Sequence, residues 1–192
     1  MLPGARAIAS PTVYRIAAGA GQQVRFEART NTEKYAGRTD QISGEVRVDL
    51  RNIGANPLAF FTVYPASFST GNGSRDSNMR RKHLHVDVFP TAAFVLTALD
   101  LPRGSAPALS ENVPVSGTLR GTLTLHGVSK TVAPAVTVTR ERDPATGRDS
   151  PHIVARFVVR LGDYNIAQPR FLFLVTKPEH PVTVDIHAVA AP

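Results

Sequence analysis

Gly117-Thr118-Leu119-Arg120-Gly121-Thr122-Leu123-Thr124-Leu125 is the stretch on which the fold class turns. Gly117, Leu119, Gly121, Leu123 and Leu125 fall on one side, and Thr118, Arg120, Thr122 and Thr124 on the other. A period of two residues is that of a β-strand with one dry and one wet face. The same pattern recurs on both sides of it. Val24, Phe26 and Ala28 alternate with Arg25 and Glu27, and Gly44, Val46, Val48 and Leu50 alternate with Glu45, Arg47 and Asp49. Val13 to Ala17, Leu58 to Val63, Ala93 to Leu99, Thr131 to Thr139, Ile153 to Leu161, Phe171 to Val175 and Val182 to Val189 are further candidate strands.

Clusters rich in Gly, Pro, Asn and Asp separate these runs, among them Ala18 to Gly21, Ile53 to Pro57, Pro102 to Gly104 and Asp143 to Gly147. No stretch between strands has the spacing of a crossover helix, so the sheet should be antiparallel. One short helix is expected from about Asp76 to Leu84, capped by Ser74 or Asp76, with Met79 and Leu84 turned inward. About eight such strands must hide their dry face, either in a two-sheet sandwich or in a closed barrel. Gly44, Gly117 and Gly121 lie on that dry face, where a missing side chain permits a bend or leaves interior space, and this favours the barrel.

Composition fits a single folded domain. The 192 residues contain no linker-like break, 42% are hydrophobic and 19% are charged, enough for a core and too few charges for a disordered chain. The longest apolar runs, such as Phe171 to Val175, fall far short of the roughly 20 residues that span a bilayer as a helix. Residues 1–11 carry Ala-x-Ala steps without a charged start or long apolar core, and are expected to be a disordered segment or signal remnant; residues 12–190 form the domain. Twenty-two Lys and Arg against 15 Asp and Glu give a formal charge of +7, which draws the protein toward anionic surfaces. Nucleic acid is disfavoured as the partner, because aromatic residues are 7% and do not interleave with Lys and Arg along a strand.

The absence of cysteine excludes disulfides, thiolate zinc sites and thiol catalysis. No G-x-S-x-G elbow, Walker A loop, H-E-x-x-H or dinucleotide fingerprint occurs. His83-Leu84-His85 could present two imidazoles on one face of a strand, but a metal would need a ligand from elsewhere, and His126, His152, His180 and His187 are scattered over other segments. Ordinary surface histidines, and no metal site, are therefore expected.

A family pattern runs through the chain in order. It comprises Ser43-Gly-Glu-Val-Arg-Val-Asp49, Ser67-Phe-Ser-Thr-Gly-Asn72, Arg75-Asp76, a basic helix with Leu84, Phe89-Pro-Thr-Ala-Ala-Phe94, Val115 through Lys130 and Arg160-Leu-Gly-Asp-Tyr-Asn-Ile166. Together, from about Tyr14 to Ile186, they resemble the YceI-like proteins. The resemblance implies a lipocalin-like antiparallel barrel around a long hydrophobic pore that holds polyisoprenoid chains or related amphiphiles, usually in exported bacterial proteins. On that footing the expected function is binding, storage or transport of a polyisoprenoid or isoprenoid quinone. The expected setting is periplasmic or secreted, and the bound lipid is cargo with no cofactor. A homodimer and an anionic membrane surface are admitted as partners.

The inward faces of the strands supply the pore candidates: Phe26, Phe61, Val63, Phe94, Leu119, Gly121, Leu123, Phe157, Val159 and Phe173. Arg75, Asp76, Arg80, Arg81 and Tyr164 are candidates for the pore mouth or for a polar head group, with Asp76 also suited to cap the helix and Arg75 to brace the loop before it. The second reading is an isomerase or hydrolase acting on an apolar substrate in the same barrel, with Asp163, Tyr164 or a histidine as acid or base.

Overall fold

The computed structural model describes residues 11–171 and 174–191. The alternating segments become strands that each pair with their neighbours in the chain. β1 (Thr12–Ile16) and β2 (Gln23–Arg29) make one long bent stave, β3 (Lys34–Thr39) and β4 (Ile42–Val48) the second, and β5 (Leu58–Val63), β6 (Ala92–Asp100) and β7 (Pro114–Leu125) the next three. β8 (Val128–Val132) and β9 (Ala135–Arg142) share the sixth, interrupted at Ala133-Pro134, and β10 (Asp149–Arg160) is the seventh. After a small separate pair, β11 (Arg170–Phe171) with β12 (Leu174–Val175), the eighth stave runs as β13 (Glu179–His187) and β14 (Val189–Ala190).

Closure follows from the pairing. β13 lies between β10 and β2, and β14 lies against β1, so the last stave hydrogen-bonds to the first. Ala191 N–H donates to the Val13 carbonyl at 2.9 Å at the same seam. The fold is thus all-β, an antiparallel lipocalin-like barrel with one short helix, and the expected eight strands are eight staves, four of them broken. Two boundaries differ from the sequence reading. Lys34–Thr39 is a strand that the alternation rule does not flag, and Thr131 to Thr139 is split because Pro134 has no N–H to extend a ladder. The expectation of disorder or a signal remnant for residues 1–11 lies, apart from Pro11, outside the described residues.

Of the bend or interior space expected at the inward glycines, the space is taken up at Gly44 and Gly121, and Gly37 behaves alike. A Cβ on Gly121 would fall 2.4 Å from Phe94 Cζ, one on Gly37 2.2 Å from Phe26 Cε1, and one on Gly44 2.8 Å from Phe61 Cδ1. At Gly37 and Gly121 a phenylalanine ring of the adjoining stave occupies the place of the missing side chain, and at Gly44 the Phe60 carbonyl comes closer still, at 2.2 Å. β6 adds a bulge between Leu96 and Ala98. The extra residue brings Leu99, rather than Ala98, onto the side of Phe94 and Leu96, so the strict two-residue period fails there for a local reason.

One end of the barrel is filled. Loops 49–57 and 101–113 are tied by Ile53 N–H to the Pro107 carbonyl and Leu109 N–H to the Leu50 carbonyl, 2.9 and 2.8 Å, and they carry Leu50, Ile53 and Leu109 into the main core with Tyr14, Val48, Val136 and Ile186. The helix lies at the other end. α1 (Gly73–Asn78) starts earlier than expected because Asn72 is its cap, its Oδ1 accepting from Arg75 N–H at 3.0 Å, and it passes into a wider π turn at Met79–His83.

Ile186 is 1% exposed and stands opposite Ile153 beside the seam. Ile186→Ala should cost about 2–5 kcal/mol, the range for emptying a close-packed aliphatic site. Urea unfolding should show a lower midpoint with an unchanged slope; a loss under ~1 kcal/mol would mean that the seam does not rely on this side chain.

Candidate ligand cavity

A cavity of about 640 Å³ occupies the half of the barrel beneath α1. Every stave contributes to its wall: Val24 and Phe26 from the first, Tyr35 and Ile42 from the second, Phe61 and Val63 from β5, Phe94 from β6, Leu119, Leu123 and Leu125 from β7, Pro134 from the break before β9, Phe157 and Val159 from β10, and Val182 and Val184 from β13. The wall is apolar because the alternation sends these residues inward while Arg25, Glu45, Arg120 and Arg156 point to water. Such a space suits a ligand recognised by shape and desolvation.

Of the pore candidates, Phe26, Phe61, Val63, Phe94, Leu119, Leu123, Phe157 and Val159 line this space. Gly121 does not, because Phe94 covers it; a large residue there would strike the Phe94 ring and the Val95 carbonyl before reaching the lumen. Phe173 lies outside the described residues. Phe61 and Phe94 face each other across the β5–β6 ladder with rings 6.4 Å apart and 21° from parallel. With Leu119 and Ile153 they also line a second cavity of about 60 Å³ toward the filled end. These four side chains form a floor under the large cavity.

The mouth candidates separate more sharply. Arg75 is on the rim, stacked 3.9 Å above the Tyr35 ring and held by Glu33, the Thr70 hydroxyl and the Thr70 carbonyl. Asp76 is not on the rim. It is buried, its carboxylate accepting from Ser69 Oγ–H and Thr70 N–H at 3.1 and 2.9 Å, so it knots the loop before the helix. Arg80 also turns inward, donating to the Phe68 carbonyl at 2.9 Å, and Arg81 is exposed away from the opening. Tyr164 is buried with Leu123, Val159 and Ile166, and burial raises its phenol above 10.0. Neither it nor the exposed Asp163 lines the cavity. Lys82, His83 and Arg170 complete the rim with Arg75, against the single carboxylate Glu33.

Sequence reasoning missed His180. It is 7% exposed in the cavity wall, its ring 6.2 Å from Phe26 and its Nδ1 3.1 Å from the Glu27 carbonyl. Its place on the inward side of β13, two residues before Val182, was the available signal. Histidines regarded as scattered also find ring partners: His126 Nε2 is 2.8 Å from Nδ1 of His85, and the rings of His152 and His187 stack at 4.2 Å.

Burial holds the His180 imidazole below its ordinary value of 6.5, and burial lowers His83 in the same way. Both groups bind protons more readily unfolded, so stability should begin to fall as pH drops through about 6.5. Asp76, whose loop hydrogen bonds outweigh the upward push of burial, lies below 3.8 and adds its loss only in more acid solution. Melting curves between roughly pH 7 and pH 5 should show this slope, and His180→Phe should flatten it; an unchanged slope in that variant would assign the effect elsewhere.

The profile of the YceI-like domain family matches residues 14–190. Among curated proteins no sequence match is found. Solved structures share the fold. A polyisoprenoid binding domain from Saccharophagus degradans, described as implicated in plant cell wall breakdown, superposes with a TM-score of 0.71 at 17% identity over 94% of this chain and 99% of its own. BcnA of Burkholderia cenocepacia gives 0.67 at 21% identity over 90% and 98%, and the Campylobacter jejuni YceI protein 0.65 at 16% over 81% and 85%. With the motifs in order, the barrel closed on itself and the profile spanning nearly all of it, this chain belongs to the family of YceI-like domains.

Proposed function

We propose that the protein binds and carries a long apolar amphiphile of the polyisoprenoid or isoprenoid-quinone type, with the tail in the cavity and the polar end at the rim. The observation that carries this reading is the cavity itself: about 640 Å³ walled by apolar side chains and open at a cationic rim. At the roughly six carbons per 150 Å³ of a small apolar cavity, it holds on the order of 25 carbons. Each methylene removed from water contributes about 0.8 kcal/mol, so the tail can supply the affinity without hydrogen bonds. Arg75, Lys82 and Arg170 suit a phosphate or other anionic head, and the same charges suit approach to an anionic membrane. The polyisoprenoid-binding description of the Saccharophagus degradans domain supports the same ligand class.

Binding is favoured over catalysis because, of the residues offered as acid or base, Asp163 and Tyr164 stand off the lumen and, among the described residues, only the histidines His83 and His180 line it. Asp163 is exposed and Tyr164 is packed in a separate cluster. His180 sits in the wall beside Phe26 with its Nδ1 on the Glu27 carbonyl, and His83 lies at the rim with its Nδ1 on the Ala167 carbonyl, so each ring is engaged by backbone.

Organic extraction and native mass spectrometry of the purified chain should reveal an apolar adduct. An empty protein that also refuses polyprenyl and quinone analogues would end this reading. Leu119→Trp should displace the ligand by filling the lumen, whereas Thr122→Trp, on the outer face of the same strand, should retain it. Each variant is first shown folded by circular dichroism, since overpacking costs about 1–3 kcal/mol. Phe94→Ala should join the two cavities and shift preference toward longer chains in a competition between homologues, at a stability cost of about 3–5 kcal/mol. Unchanged chain-length preference would remove the floor from the account of specificity.

A further inference from the structure

The outer wall holds a cluster that the lipid reading does not use. On β10 the inward residues are Ile153 and Ala155, which places His152 on the water side. Its cross-strand partner on β13 is His187, and Glu141 reaches over from β9. Glu141 Oε1 lies 3.1 Å from His152 Nδ1, and Glu141 Oε2 lies 3.5 Å from His187 Nδ1. One donor atom from each of the three residues falls within 4.8 Å of the other two.

The protons decide what this arrangement needs. Asp185 Oδ1 is 2.7 Å from His152 Nε2 and takes the hydrogen bond from that nitrogen. The lone pair of a neutral imidazole then sits on Nδ1, aimed at the Glu141 carboxylate. Two acceptors at 3.1 Å require either a further proton or a cation between them. A metal that takes nitrogen and oxygen ligands at about 2.0–2.1 Å in a tetrahedral arrangement sets its ligand atoms about 3.3 Å apart. The observed contacts, 3.1 Å from His152 Nδ1 to Glu141 Oε1 and 3.5 Å from His187 Nδ1 to Glu141 Oε2, lie near that spacing although they use the two different carboxylate oxygens. One donor atom from each residue stays within 4.8 Å of the others, so a turn of the carboxylate would complete the set. The Asp185–His152 contact is the outer carboxylate that fixes tautomer and ring orientation in histidine metal sites. His187 is fixed through its backbone: the Gln22 side-chain amide donates to its carbonyl and accepts from its N–H, both at 3.0 Å.

We propose that His152, His187 and Glu141 form a binding site for a divalent transition-metal cation of the zinc class, with Asp185 as the positioning residue for His152. Three protein ligands leave a fourth position open to water or to a group from outside. The ion ties β9, β10 and β13 together just where β13 gives way to β14. The site faces away from the cavity and stands or falls independently of the lipid reading.

The test is calorimetric titration of the EDTA-stripped full chain with zinc chloride near neutral pH, with melting curves alongside. One ion per chain and a raised melting temperature are expected. His152→Ala, His187→Ala and Glu141→Gln should each abolish or strongly weaken uptake while circular dichroism stays native. Asp185→Asn should weaken it about 10- to 100-fold at unchanged stoichiometry. Cobalt(II) in place of zinc should give a visible absorption band that the two histidine variants lose, and uptake should fall as pH drops because protons compete for the ligands. Absence of zinc binding by the parent chain would overturn the proposal. Zinc binding that survives both histidine substitutions would overturn it equally. Retention of an apolar adduct is read on the same samples and should not change in any variant.

Discussion

The ladder between the last stave and the first, Val182–Asp185 against Gln23–Phe26 and Val189–Ala190 against Tyr14–Arg15, is the interaction on which the molecule depends. Without it the sheet has two exposed edges and an unwalled dry face. With it, every inward side chain meets others across the lumen, and Ile186 and Ala188 become among the most buried residues of the chain. All other strand pairs in the ring join staves adjacent in sequence. Closure therefore requires one long-range step, whose loop entropy the accumulated inner face must offset.

A barrel of eight staves is just wide enough for side chains to fill, or to hold one small ligand if they are kept back from the axis. This one does both. Toward the Leu50, Ile53 and Leu109 end the side chains meet and form core. Toward α1, above the floor made by Phe61, Phe94, Leu119 and Ile153, the inward side chains do not meet and space remains. In the proposed reading the cationic rim and the apolar interior divide the work: charge would orient the polar end of an amphiphile, and desolvation would hold its tail.

The fold was legible because its determinant is local. Period-two alternation in segments such as Gly117–Leu125 states which side is dry, and a one-residue slip would wet the whole face. Most of the residues named as pore candidates line the cavity for the same reason, including Phe26, Phe61, Leu119 and Phe157. What failed depended on three-dimensional neighbours. Gly121 reads as interior, yet only the course of the Phe94 ring shows that it is covered. Asp76 reads as a helix cap or a mouth residue and Arg80 as a mouth or head-group residue, but the first hydrogen-bonds back to the loop at Ser69 and Thr70 and the second to Phe68. His152 and His187 are far apart in sequence, and only the β10–β13 register makes them opposite partners.

The hydrogen bond from Ala191 N–H to the Val13 carbonyl has a further consequence. It sets the two ends of the folded region side by side, so the ring is continuous in space across the point where the backbone is not. Exposed turns such as Asp143 to Gly147 join adjacent staves in the same manner. A circularly permuted chain, joined by a short linker across Val13 and Ala191 and opened at that turn, would contain the same neighbouring staves in a different covalent order. In such a chain the former seam becomes an ordinary hairpin, and the β9–β10 ladder becomes the last to close.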